Sequence, residues 1–127
     1  MNYLSAQEIL FIHNRLTSEV GGRDGLSDLK TLKKAVQYMH HTEMFPDLYS
    51  KAAALFFAIA KKRPFSEQNL PTALGSLGVL LAINSHQLPM SDPEVLSFIQ
   101  KDLTTASVQE ITGWIKSVTY KSTTSAL

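Results

Sequence analysis

The chain has 127 residues, 44% of them hydrophobic, which is enough to bury one core without staples, so a single domain is expected. It contains no cysteine, which excludes a disulfide framework, a thiolate metal site and a cysteine nucleophile. A formal charge of +1 provides no field to gather nucleic acid or anionic lipid, and no aromatic residues interleave with a basic patch.

The N-terminus, Met-Asn-Tyr-Leu-Ser, lacks the basic, apolar and small-residue order of a signal peptide. The uncharged stretch Gln68 to Gln87 is broken by Asn69, Pro71, Gly75, Gly78 and Asn84, so no membrane span is expected. A cytoplasmic chain with neither a nucleic-acid nor a membrane partner is the resulting expectation.

Ser5-x-x-Glu8 forms a capping box, and Ile9, Ile12, His13 and Leu16 follow at the spacing of one buried helical face. This helix should stop near Gly21-Gly22, with a loop through Asp28. Leu29, Leu32, Val36 and Met39 stripe a second helix, which Met44 to Pro46 breaks. Leu48 to Lys62 is apolar almost all round, as a central helix should be, and Lys61 and Lys62 suit its negative end. Asn69 can cap the next helix with Pro71 in its first turn, and leucines carry it to Asn84-Ser85 without a charge. These two helices should form a buried hairpin with residues 63–69 at its turn. Asp92-Pro93 opens a helix through Val95, Phe98, Ile99 and Leu103. Ser107-x-x-Glu110 boxes a last helix bearing Ile111, Trp114, Ile115 and Val118. The expectation is an all-α bundle of about six helices over residues 1–120, then a polar, disordered tail over 121–127.

The turn of the hairpin carries the most information. Lys62-Arg63-Pro64-Phe65-Ser66-Glu67-Gln68-Asn69-Leu70-Pro71-Thr72-Ala73 resembles the signature of the Fic/Doc (Fido) family, in its Doc (death-on-curing) branch roughly His-x-Phe-x-Asp-Gly-Asn-Lys-Arg-Thr-Ala. Phe65, Glu67, Asn69, Thr72 and Ala73 keep the family's residue types. Arg63 stands for the histidine, Gln68 for the glycine, Leu70 for the lysine and Pro71 for the arginine. Leu4 to His13, the Gly21-Gly22 and Gly25-Leu26 turn, Leu48 to Leu55 and Ala73 to Asn84 extend the resemblance over roughly residues 3 to 90. It implies that family's compact helical bundle.

The resemblance also implies transfer of AMP, or in the Doc branch of a phosphate, from ATP to a hydroxyl of a target protein, with Mg2+ as cofactor. Such chemistry needs a base, a metal ligand and donors for the phosphates. At the base position, Arg63 offers no acceptor for a proton, and losing a positioned base removes ~100-fold to 10000-fold of rate. Glu67 matches the metal-binding acid. Asn69 and Thr72 occupy positions implied to contact the nucleotide. Gln68 restricts a position where glycine lets phosphate approach, Leu70 and Pro71 remove two cations, and Pro71 also deletes an N–H from the helix start. The same residues have a plain structural use: Phe65 plugs the bundle and Asn69 caps a helix.

No histidine supplies an evident substitute base. His13 lies on the apolar face of the first helix, where a hydrogen-bonded core histidine is expected. His40 and His41 end the second helix in a capping role, and His86 falls in a turn. Two functions follow from the sequence. One is a Doc-like domain without its reaction, acting as a regulator or decoy by binding an antitoxin or a target protein, for which the groove beside residues 45–50 and 63–69 is the contact surface by analogy. The other is an active transferase toxin of that family, and a plain helical interaction module is a blander third.

Overall fold

Ser5 starts the first helix as its spacing predicts: its Oγ accepts the Glu8 N–H at 3.1 Å, and Glu8 Oε1 accepts the Ser5 N–H at 2.9 Å. The computed structural model describes residues 1–20, 28–101 and 103–122. Among these, the elements in chain order are α1 (Ala6–Val20), α2 (Leu29–Tyr38), α3 (Leu48–Lys62), α4 (Asn69–Ala82), β1 (His86–Gln87), α5 (Pro93–Lys101), α6 (Val108–Val118) and β2 (Tyr120–Lys121). The expected glycine turn at residues 21, 22, 25 and 26 lies outside the described residues.

Helix α3 is the axis of the bundle and packs against α2, α4 and α6. Its run of alanines lets the neighbours approach closely, and Ala52, Ala53, Ala54, Leu55, Phe56 and Ile59 are all buried. Asp47 caps it: Asp47 Oδ1 accepts the Ser50 N–H at 2.8 Å while Ser50 Oγ accepts the Asp47 N–H at 3.2 Å. Burial pushes the Asp47 carboxyl up, but hydrogen bonds from Ser50 and the charge of Lys116 outweigh this and hold it below its ordinary value. Lys51 is an unusual member of α3, only 4% exposed, and its ammonium donates to Phe45 O at 2.6 Å. That bond pins the segment entering α3 to the helix itself.

Helix α4 lies along α3 and α1, giving the expected buried hairpin, and Leu77, Leu80 and Leu81 are fully enclosed in it. Helix α6 closes the other side of α3 through Ile111 and Ile115 behind a third complete box, Ser107 and Glu110. In α2 the core-facing residues are Leu32, Ala35 and Val36, followed by Met39 at its C-cap. Leu29, expected in that stripe, is 46% exposed because it falls in the first turn directly after the Asp28 cap.

The bundle also holds a small antiparallel ladder, which the all-helical expectation did not include. His86 pairs with Lys121 and Gln87 with Tyr120. Lys121, the first residue of the expected tail, is therefore in a strand, and the Ser122 N–H donates to Ser85 O at 2.7 Å. The rest of that tail lies outside the described residues. The preceding turn also receives the other end of the chain. The Asn2 N–H donates to Asn84 Oδ1 at 2.8 Å, Asn2 Nδ2 to Ile83 O at 3.0 Å, and Asn84 Nδ2 to Asn2 O at 2.8 Å. His86 is oriented by Asn84 O, 2.9 Å from Nδ1. A carbonyl can only accept, so Nδ1 carries a proton, and Nε2 lies 3.2 Å from the Tyr49 hydroxyl.

Candidate functional site

The loop between α3 and α4 begins and ends on left-handed residues. Arg63, the C-cap of α3, has φ 50 and ψ 62, and Gln68, the N-cap of α4, has φ 62 and ψ 31. Each non-glycine residue costs about 1–2 kcal/mol in this region, and such strain is found where the surroundings over-determine the backbone. Position 68 thus keeps the conformation that glycine adopts freely, although the sequence places a glutamine there.

Three sets of contacts hold the loop. The Asp28 N–H donates to Pro64 O at 3.1 Å, joining the start of α2 to the loop. The Asn69 side chain spans the turn, with Oδ1 accepting the Phe65 N–H at 2.9 Å and Nδ2 donating to Phe65 O at 2.8 Å. His13 supplies the third: its Nε2 lies 3.0 Å from Glu67 O, and its ring stacks on Phe65 with centroids 3.9 Å apart and planes 7° from parallel. Because its partner is a carbonyl, Nε2 is the protonated nitrogen, which leaves Nδ1 buried with no hydrogen-bond partner.

These contacts place each residue singled out in the sequence. Phe65 is buried, the plug that was expected. Asn69 does not cap α4. The cap is Gln68, which contributes no side-chain hydrogen bond, and both ends of the Asn69 amide are spent on Phe65. Thr72 is fully buried on the inner face of α4, its hydroxyl facing the core rather than solvent and lacking a hydrogen-bond partner. Arg63, Ser66, Glu67, Leu70 and Pro71 form the exposed side of the site, two of them apolar. No group of three histidine, aspartate or glutamate side chains able to hold a metal occurs among the described residues.

The other histidines take different places. Helix α2 ends at Tyr38, so His40 and His41 lie in the turn beyond it rather than at its end. The His40 ring lies against Tyr3 at 4.2 Å and the His41 ring meets the edge of Tyr38 at 6.3 Å. His86 is a strand residue bonded to Tyr49. His13 is a core histidine, as its helical position indicated. Its contact with the loop was hidden because it depends on α1 packing beside α4, which no local pattern reports.

The turn carries few groups of the kind that a magnesium nucleotide is held by. Glu67 is the lone acid at the turn, no cation follows Asn69, and Pro71 lacks an N–H at the third position of α4. Among the described residues, no helix is long and apolar enough to cross a membrane.

Comparison with known proteins places this arrangement. The model of the Fic/DOC family matches residues 3–81, which span α1 through α4 and so include the whole loop. "Protein kinase doc" of Escherichia phage P1 is 30% identical over 98 residues, covering 75% of this chain and 77% of that protein. A helical bundle whose central hairpin turns through this loop, matched by the family over more than half of the sequence, belongs to the Fic/DOC family.

Proposed function

We propose that this Doc-like chain acts by binding a protein, an antitoxin or a target, and does not transfer phosphate or AMP. The carrying observation is a loop that takes a glycine-type conformation without the glycine: Gln68 holds the left-handed turn while Arg63 occupies the base position. Elements that shape the turn (Phe65, Asn69 and the His13 contact) remain, and those that would move a proton or neutralise a triphosphate are replaced. His13 does not supply a base, since its free nitrogen is enclosed in the core.

The active reading draws on one observation, that a relative 30% identical to this chain is a protein kinase. The two are separated by labelling a cell lysate with γ- or α-labelled Mg-ATP, alongside a thermal-shift titration. The natural chain is expected neither to label nor to be stabilised by nucleotide. The variant Arg63→His, Gln68→Gly, Leu70→Lys, Pro71→Arg is expected to gain nucleotide-dependent stabilisation. Label transferred by the natural chain, and abolished by Glu67→Gln, would overturn the binding reading.

A further inference from the structure

Helices α2 and α3 leave a cleft of about 530 Å3 between them, lined by Thr31, Lys34, Ala35, Tyr38, Phe57, Ala58, Lys61 and Lys62 and by no residue of the loop. On α2 the lining positions recur at i, i+3, i+4 and i+7, a helical stripe that shares Ala35 with the core-facing one. The floor is small and apolar at Ala35 and Ala58, with aromatic walls from Tyr38 and Phe57. Three exposed lysines stand along it and no carboxylate lines it. No ion pair to Lys34, Lys61 or Lys62 occurs among the described residues, and Lys61 Nζ is held 5.6 Å from the Phe57 ring centroid, so its charge stays over the cleft.

We propose that this cleft is a docking groove for an acidic amphipathic helix of a partner protein. An apolar stripe of that helix lies on Ala35, Ala58 and Phe57, and glutamates or aspartates on its flanks pair with Lys34, Lys61 and Lys62. Charge complementarity selects the occupant. A neutral apolar segment would leave three lysines desolvated beside it, whereas carboxylates offset that cost and guide the approach. The α2 wall, from Thr31 to Tyr38, offers about 12 Å of groove, roughly two turns of a bound helix. The inference supplies a surface for the binding reading and rests on it. Peptide binding reports on the cleft and nucleotide labelling on the loop, so failure of the one is distinguishable from failure of the other.

The test uses the full chain and a synthetic amphipathic peptide of about 14 residues, leucine on one face and glutamate on both flanks, followed by fluorescence anisotropy and by backbone amide shifts. The glutamate peptide should saturate below about 1 mM, and its glutamine counterpart should bind about tenfold more weakly. The triple variant Lys34→Gln, Lys61→Gln, Lys62→Gln should lower affinity about tenfold, while Lys30→Gln, Lys33→Gln, Lys101→Gln, with the same change in net charge, should not. All six lysines are exposed, so both variants should melt like the parent. Equal weakening by the two triples, shifts mapping away from α2 and α3, or no saturation by the glutamate peptide would each overturn the proposal. So would competition by single-stranded RNA or inorganic pyrophosphate at lower concentration than the peptide, which would assign the lysines to a phosphate polyanion.

Discussion

Gln68 and Arg63 pose opposite questions about one loop. Gln68 is a side chain in a glycine conformation, so Gln68→Gly should remove left-handed strain, partly offset by the extra freedom glycine brings to the unfolded chain. The expected net gain is about 0.5–1 kcal/mol, read as a higher melting temperature in the absence of any nucleotide. A decrease would show that the Gln68 side chain makes a contribution larger than its backbone cost. The single variant also sets the baseline for the fourfold variant, whose melting shift otherwise mixes relief of strain with ligand binding. At this scale the sequence was legible wherever a residue's role is local. Phe65 as a plug follows from its neighbours. Asn69 was misread as a cap because an asparagine before a helix fits that pattern, whereas its clamp on Phe65 exists only once the loop has curled back on itself.

At the scale of elements, three carboxylates start three helices. Thr31, through its side chain first and then its backbone N–H, holds Asp28 below its ordinary 3.8. Ser107, through its backbone and then its side chain, holds Glu110 below 4.5. Asp47 is lowered as described. A folded-state value below the unfolded one means the unfolded chain binds protons first as the pH falls. The stability these caps contribute is therefore complete above the ordinary carboxylate values and is lost as the pH drops through the depressed ones. Urea unfolding as a function of pH should be flat near neutrality and decline below about pH 4, with a shallower decline in the variant Asp28→Asn, Asp47→Asn, Glu110→Gln. An equal slope in both would remove the caps from the acid transition. The boxes at Ser5 and Ser107 were readable because hydroxyl and glutamate stand three residues apart. The box at Asp47 inverts that order, with the carboxylate first and the hydroxyl at Ser50, and so did not match the expected signature. The ladder of β1 and β2 escaped because two residues are too few to show alternation.

For the whole molecule, periodicity alone gives a helical bundle, and the arrangement of helices came from the resemblance carried by residues 3 to 90. The reason is physical: an apolar face reports that a helix is buried, and says nothing about which neighbour buries it. The turn at Ile83, Asn84 and Ser85 illustrates this, since it gathers Asn2 from one direction and Ser122 from the other. With positions 2 and 122 anchored on one turn, the order in which the chain visits its helices is separable from the fold. A circular permutant joining residue 122 to residue 2 by a short glycine-serine linker and opened between Thr42 and Glu43, two exposed turn residues, is expected to melt cooperatively with native near-ultraviolet circular dichroism. Loss of that signal would mean that the α2-to-α3 connection is needed for packing. If the permutant folds, its new ends emerge at the 42–43 turn, and a partner or reporter can be fused there, away from the turn that anchors residues 2 and 122.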